Sequence, residues 1–147
     1  EKVIDVDASH LTLILEYVPR TDLPKYIHDQ SMSQLSEDAQ CRIWADIIGA
    51  LEYIHNQDIL HHDIKPENIM LGDDICGAVL CDFGSFSIAS HQRVPNNAWS
   101  PCCIPPEYLL DEPERSLAGD VWAFGVTMLF VSRLMPLPRG AWRIADR

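Results

Sequence analysis

Residues 61–70 read HHDIKPENIM, and a DFG triplet follows at 82–84. Asp63, Lys65 and Asn68 fall within one short polar turn, and Asp82 heads the second motif. A carboxylate in a turn can act as a general base toward a hydroxyl. A lysine two positions on can neutralise a phosphoryl group in transfer. An asparagine and a second aspartate supply the hard oxygens that Mg²⁺ prefers. Phosphoryl transfer asks mainly for positioning and charge stabilisation, so this small set of groups suffices for it.

Such groups need rigid elements on both sides. Upstream, Ser36 is a good N-cap, and Glu37 and Asp38 place acids in the first turn of a helix. Ala39, Ile43, Ile47, Ala50 and Ile54 recur at helical spacing and give it one apolar face. The helix is expected to end near His55 and Asn56. Downstream, IML at 69–71 and AVLC at 78–81 flank GDDICG, the pattern of a β-hairpin. That hairpin would return Asp82 to the side of Asn68, which accounts for an apolar strand directly behind the polar turn. LTLILEYV at 11–18 reads as a buried strand stopped by Pro19, and LPKYIHD at 23–29 as one or two helical turns. Residues 84–106 show no period and read as a long functional loop. A second helix near 117–131 is apolar all round and is expected to be buried on all sides.

The 147 residues match one domain, with 47% hydrophobic and 22% charged residues. The net charge of −11 opposes nucleic acid and anionic membrane as partners. No basic-then-apolar leader opens the chain, and the longest apolar run, 121–131, falls short of the roughly 20 residues that span a bilayer. Five cysteines, an odd number without a CxxC pair, point to a reducing compartment: intracellular, cytoplasmic, with the nucleus left open.

With these pieces in order, the sequence resembles the eukaryotic protein kinase family, serine/threonine type. HHDIKPEN resembles the catalytic loop H-R-D-x-K-x-x-N, DFG the metal-binding motif, PPE at 105–107 the A-P-E motif, and DVWAFGV at 120–126 the start of the central helix of the large lobe. The resemblance implies an α+β kinase-like fold: a mainly helical large lobe, a short β-hairpin and a remnant strand of the small lobe. Residues 1–24 would hold the small-lobe remnant and hinge, and residues 25–147 part of the large lobe. It implies Asp63 as catalytic base, Lys65 as the γ-phosphate contact, and Asn68 and Asp82 as Mg²⁺ ligands. At the hinge, Leu15 would be the gatekeeper, and the backbone of Glu16 and Val18 would meet the adenine of ATP. Asp22 would meet the ribose and Met70 would lie beneath the adenine. Asp120 would brace the catalytic loop, and Glu107 would pair with an arginine further along. The substrate would be a protein Ser/Thr hydroxyl, a reading that DIKPEN and Ser100 support.

Three departures accompany the resemblance. His62 stands where the family carries arginine, and histidine cannot fork onto a phosphate. Activity is therefore expected not to depend on a phosphate in the 84–106 loop. The glycine-rich loop, its strand lysine and that lysine's glutamate partner are not visible in these residues, nor are the later helices. The 147 residues alone are thus expected to be incomplete and inactive, and a pseudokinase or kinase-like scaffold stands as the alternative.

Overall fold

The computed structural model describes residues 3–7, 12–15, 17, 21–29, 35–72, 77–89, 103–109 and 116–135. Two antiparallel strands open the chain, β1 (Val3–Asp7) and β2 (Thr12–Leu15), with an irregularity in register between Val3 and Asp5. The sequence announces only one strand here, over 11–18; β1, with acids at Asp5 and Asp7, carries no continuous apolar run. Of the reading's 11–18 strand, Leu15 lies in β2, whereas Glu16 and Val18 lie outside the described residues.

A short strand β3 (Thr21–Asp22) leads directly into α1 (Leu23–Asp29). The expected long helix is α2 (Glu37–His55), and the Ser36 hydroxyl accepts from the Ala39 amide at 3.2 Å. Ala39, Ile43, Ile47, Leu51 and Ile54 are its buried stripe, with Ala50 half-buried beside it. After α2 come β4 (Ile59–Leu60), β5 (Ile69–Leu71), β6 (Ala78–Leu80) and β7 (Ser87–Ile88). β5 and β6 form the predicted antiparallel hairpin, with Ile69 opposite Leu80 and Leu71 opposite Ala78. Ile69, Leu71, Ala78 and Leu80 point into the core, while Met70 and Val79 are half-buried on the other face. β3 adds to the outer edge of β5, so the sheet order is β3-β5-β6.

Two carboxylates tie helices to this sheet. Asp22 accepts from the Lys25 amide at 2.8 Å and so caps α1. Asp46 on α2 accepts from the Ala78 amide at 2.8 Å and holds the start of β6. The core gathers Leu23, Ile43, Ile47, Leu51, Ile64, Ile69, Leu71 and Leu80, which join α1, α2, the polar turn and the hairpin.

The helix at the end of the described chain, α3 (Leu117–Val131), has the expected bounds but not the expected burial. Gly119, Asp120, Ala123, Thr127 and Val131 are buried, whereas Val121, Trp122 and Leu129 are 56%, 46% and 44% exposed. A helix that is apolar all round has no stripe to name its inner side, and here only one side meets the core. The loop at 84–106 also differs from its reading. It opens with a 3₁₀ turn, Phe83–Ser85, and then β7, which pairs with β4. Two-residue strands are too short to print a period on the sequence.

Candidate active site

The polar turn is built between β4 and β5. Pro66 begins a 3₁₀ turn, Pro66–Asn68, where its missing amide costs nothing because a first-turn N–H has no partner in any case. Ile64 is buried on one side of the turn and Ile69 on the other, so two apolar anchors fix a stretch of polar side chains. Lys65 lies between them and donates from Nζ to Asp63 Oδ2 at 2.7 Å. Asn68 is 5% exposed, and its Nδ2 donates to the Asp63 carbonyl at 2.8 Å and to Asp63 Oδ2 at 3.1 Å. Both partners of that nitrogen are acceptors, which settles the orientation of the amide and turns Asn68 Oδ1 the other way.

Partial burial works against the Lys65 charge, but the hydrogen bond and attraction of Asp63, with Glu67 and Asp82 behind it, hold its pKa above the ordinary value. Lys65 is therefore a fixed positive charge against the Asp63 carboxylate.

His61 beneath the turn is fully buried. Its Nδ1 accepts from the Asp63 amide at 3.2 Å, so its proton sits on Nε2, which donates to the Cys81 carbonyl at 3.0 Å. The Phe83 ring lies 4.7 Å away, tilted against the imidazole. His61 is a packed, satisfied histidine. Burial pushes its pKa below 6.5; the Cys81 carbonyl and the charges of Asp120, Asp63 and Asp82 oppose that shift without cancelling it. A lowered folded pKa makes the neutral form the native one. The associated stability is complete above the unfolded value near 6.5 and is lost as the pH falls through that value toward the folded pKa. Urea midpoints should therefore decline between pH 7.5 and 5.5, and His61→Phe should flatten that decline; an unchanged slope in this variant would assign the acid sensitivity to other groups.

Asp120 reaches the loop from the first turn of α3. It is 2% exposed; Oδ2 accepts from the His61 amide at 2.8 Å and Oδ1 from the His62 amide at 2.9 Å. Its bracing role expected from the sequence is thus present in the geometry. A third bond was not foreseen: His55 Nε2, in the last turn of α2, lies 3.0 Å from Asp120 Oδ2. One carboxylate joins two helices and the loop. It also holds His62 at φ 67°, a left-handed conformation that costs a non-glycine residue about 1–3 kcal/mol.

Asp82 takes the same left-handed region at φ 62°, and its Oδ1 accepts from the Gly84 amide at 3.2 Å. The preceding residue is tied to the turn, because the Cys81 amide donates to the Asn68 carbonyl at 2.9 Å and its thiol to the same oxygen at 3.3 Å. The hairpin thus returns the DFG segment to Asn68 through backbone. A Cβ added at Gly84 would stand 3.0 Å from Asp82 Oδ1, so a side chain here would press on the carboxylate and make it shift.

Met70 and Asp22 are cross-strand partners in the sheet. Asp22 uses one oxygen as the cap of α1, a structural task the ribose reading did not include. Glu107 is half-buried in the 3₁₀ turn Pro106–Leu109, and Ser100 lies outside the described residues. Among the described residues Cys41 is exposed, Cys81 half-buried and Cys103 buried.

The donor set at the turn and the DFG segment fits a hard cation. With its Nδ2 bonded to Asp63, Asn68 can offer its amide oxygen, and the exposed Asp82 carboxylate adds further oxygens.

A family model for the protein kinase domain matches residues 3–141. The chain belongs to the protein kinase family. Its curated relatives include sperm motility kinase W of Mus musculus, 32% identical over 128 residues, which are 86% of this chain and 25% of that protein. Serine/threonine-protein kinase SAPK2 of Oryza sativa subsp. indica is 31% identical over 129 residues, 86% of this chain and 38% of that protein. Serine/threonine-protein kinase ssp1 of Schizosaccharomyces pombe is 33% identical over 140 residues, 87% of this chain and 21% of that protein. The chain therefore spans well under half the length of these relatives. Among the described residues no helix is long and apolar enough to cross a membrane.

Proposed function

We propose that the protein carrying this chain is a serine/threonine protein kinase, transferring the γ-phosphate of Mg-ATP to protein hydroxyls. The observation that carries the reading is the Asp63 carboxylate held by Lys65 Nζ at 2.7 Å and by the buried Asn68 amide at 3.1 Å. In this reading Asp63 orients the substrate hydroxyl and takes its proton as the oxygen attacks the γ-phosphorus and the bond to the ADP oxygen breaks. Lys65 neutralises charge on the phosphoryl oxygens. Asn68 and Asp82 would hold Mg²⁺, which when bound supplies the positive charge that offsets the phosphates. Residues 1–24 would contribute hinge and small-lobe remnant, with Glu16 and Val18 on the adenine edge, Asp22 on the ribose and Met70 beneath the base. Residues 25–147 would contribute large lobe.

The test uses the whole protein with Mg-ATP and paired peptides that differ only in Ser, Thr or Tyr at the acceptor. Phosphate should appear on Ser or Thr. Tight Mg-ATP binding without transfer would instead favour the pseudokinase alternative.

Asp82→Asn separates metal binding from folding. Asparagine tolerates the left-handed backbone and can keep the Gly84 bond, so only the charge is lost. Mg-ATP affinity is expected to fall by at least roughly tenfold, the loss that follows removal of even an outer partner of a metal ligand. The melting temperature should move little. Asp82→Ala should weaken binding equally but also cost some stability. Loss of the fold with unchanged affinity in the folded fraction would make Asp82 structural.

A further inference from the structure

We infer that His62 and Ser87 form a phosphate-independent clamp that positions the DFG segment against the catalytic turn. The inference rests on the kinase reading above for its consequence, but its geometry stands alone. His62 Nε2 and Ser87 Oγ share a hydrogen bond of 2.6 Å, across 25 residues of sequence. Either partner can donate, since the hydroxyl is both donor and acceptor and the imidazole has two tautomers.

The clamp has a backbone frame. Ser87 lies in β7 opposite Leu60 of β4, Ile88 lies opposite Ile59, and the Ala89 amide donates to the Asp58 carbonyl at 2.7 Å. Two-residue strands supply few ladder bonds, and a pair that short needs help from side chains. His62 supplies it from a strained position. Its φ of 67° turns the residue out of the line of β4, and Asp120 holds its amide there. The next residue is Asp63. On the other side, Ser87 follows the 3₁₀ turn Phe83–Ser85 that Asp82 caps. The His62–Ser87 bond thus closes a ring: the base on one arm, the second aspartate on the other.

At this place the sequence could not offer an arginine to grip a phosphate. The imidazole instead reaches a serine hydroxyl already present in the chain. The clamp needs no modification to form, and its two partners position Asp63 and Asp82 without touching the reacting groups.

Hydrogen exchange at the Ala89 amide, together with peptide phosphorylation, tests this in the whole protein. A neutral hydrogen bond of the usual net strength corresponds to roughly 2- to 13-fold faster exchange on its loss. His62→Ala retains the Cβ, and so the same backbone cost, while removing the bond; Ser87→Ala removes it from the other side. Each should raise exchange by that factor, and the double variant should add nothing further. His62→Gln, whose amide nitrogen reaches the place of Nε2, and Ser87→Thr should restore protection. kcat should follow the same pattern across the variants, and phosphatase treatment should leave both readouts unchanged. Unaltered exchange in both alanine variants, fully additive effects, or loss of protection on phosphatase treatment would each overturn the clamp. If the parent protein transfers no phosphate at all, the kinase reading fails, while the exchange measurement still decides the clamp.

Discussion

Asp63→Asn lowers peptide phosphorylation by about 10²–10⁴-fold, the usual contribution of a positioned general base. The amide is the same size as the carboxylate, and its oxygen can still accept from Lys65 Nζ and Asn68 Nδ2, so the turn retains its shape. What disappears is the basicity and the charge. Nucleotide binding, which depends on other groups, should change little; the Lys65 pair is partly buried, so the loss of its charge partner costs some stability, limited by the retained Lys65 and Asn68 hydrogen bonds. The measurement compares kcat, Mg-ATP affinity and thermal midpoint in one preparation. An Asp63→Asn protein with full turnover would remove this carboxylate from the chemistry.

Asp120→Ala has the larger effect on folding. Its carboxylate is the acceptor for two loop amides, those of His61 and His62, and is the partner of His55. Alanine leaves both amides without an acceptor in a place shielded from water, at about 1–3 kcal/mol each. The sum, roughly 2–6 kcal/mol, is a large part of the 5–15 kcal/mol that holds an ordinary domain folded. It also frees His62 to leave its left-handed backbone, and Asp63 would move with it. Denaturant unfolding should show the loss, and the folded fraction that remains should turn over more slowly. Asp120→Asn keeps one acceptor but sets an amide N–H₂ against a peptide N–H, so an intermediate loss is expected. A stability change within about 0.5 kcal/mol for Asp120→Ala, the range of inert surface substitutions, would show that water or another group satisfies the two amides.

The helices and the hairpin were legible because their signals are local. Ser36 followed by two acids marks a helix start, and the apolar stripe behind it repeats over five turns. IML and AVLC on either side of GDDICG mark two strands, observed as Ile69–Leu71 and Ala78–Leu80. The polar turn was legible for a different reason. Asp63, Lys65 and Asn68 bond to one another over two and five residues of sequence, a distance that spacing alone can encode.

Other features rest on partners far apart in the chain. The His62–Ser87 bond spans 25 residues, Asp46 to Ala78 spans 32, and His55 to Asp120 spans 65. None of these residues has a side chain whose type names its partner. β4 and β7 pair over two residues each, below any detectable period, so β7 read as part of the long functional loop at 84–106. The inner face of α3 was undetermined for the opposite reason: every side was apolar, and only packing against the core chose Ala123, Thr127 and Val131 over Val121, Trp122 and Leu129.

The amino-acid sequence by itself determined the long helices, the β5–β6 hairpin, the order of the motifs and the identity of the groups at the turn, because propensity, capping and short-range hydrogen bonds act between near neighbours. Tertiary structure alone decided which carboxylate holds which backbone. Asp22 became a helix cap, Asp46 a strand clip and Asp120 the acceptor for a strained loop, although all three are the same residue type. The physical reason is that a carboxylate's role depends on the donors folded against it. Those donors come together only after the chain has buried Ile43, Ile47, Ile64 and Ile69 in one core.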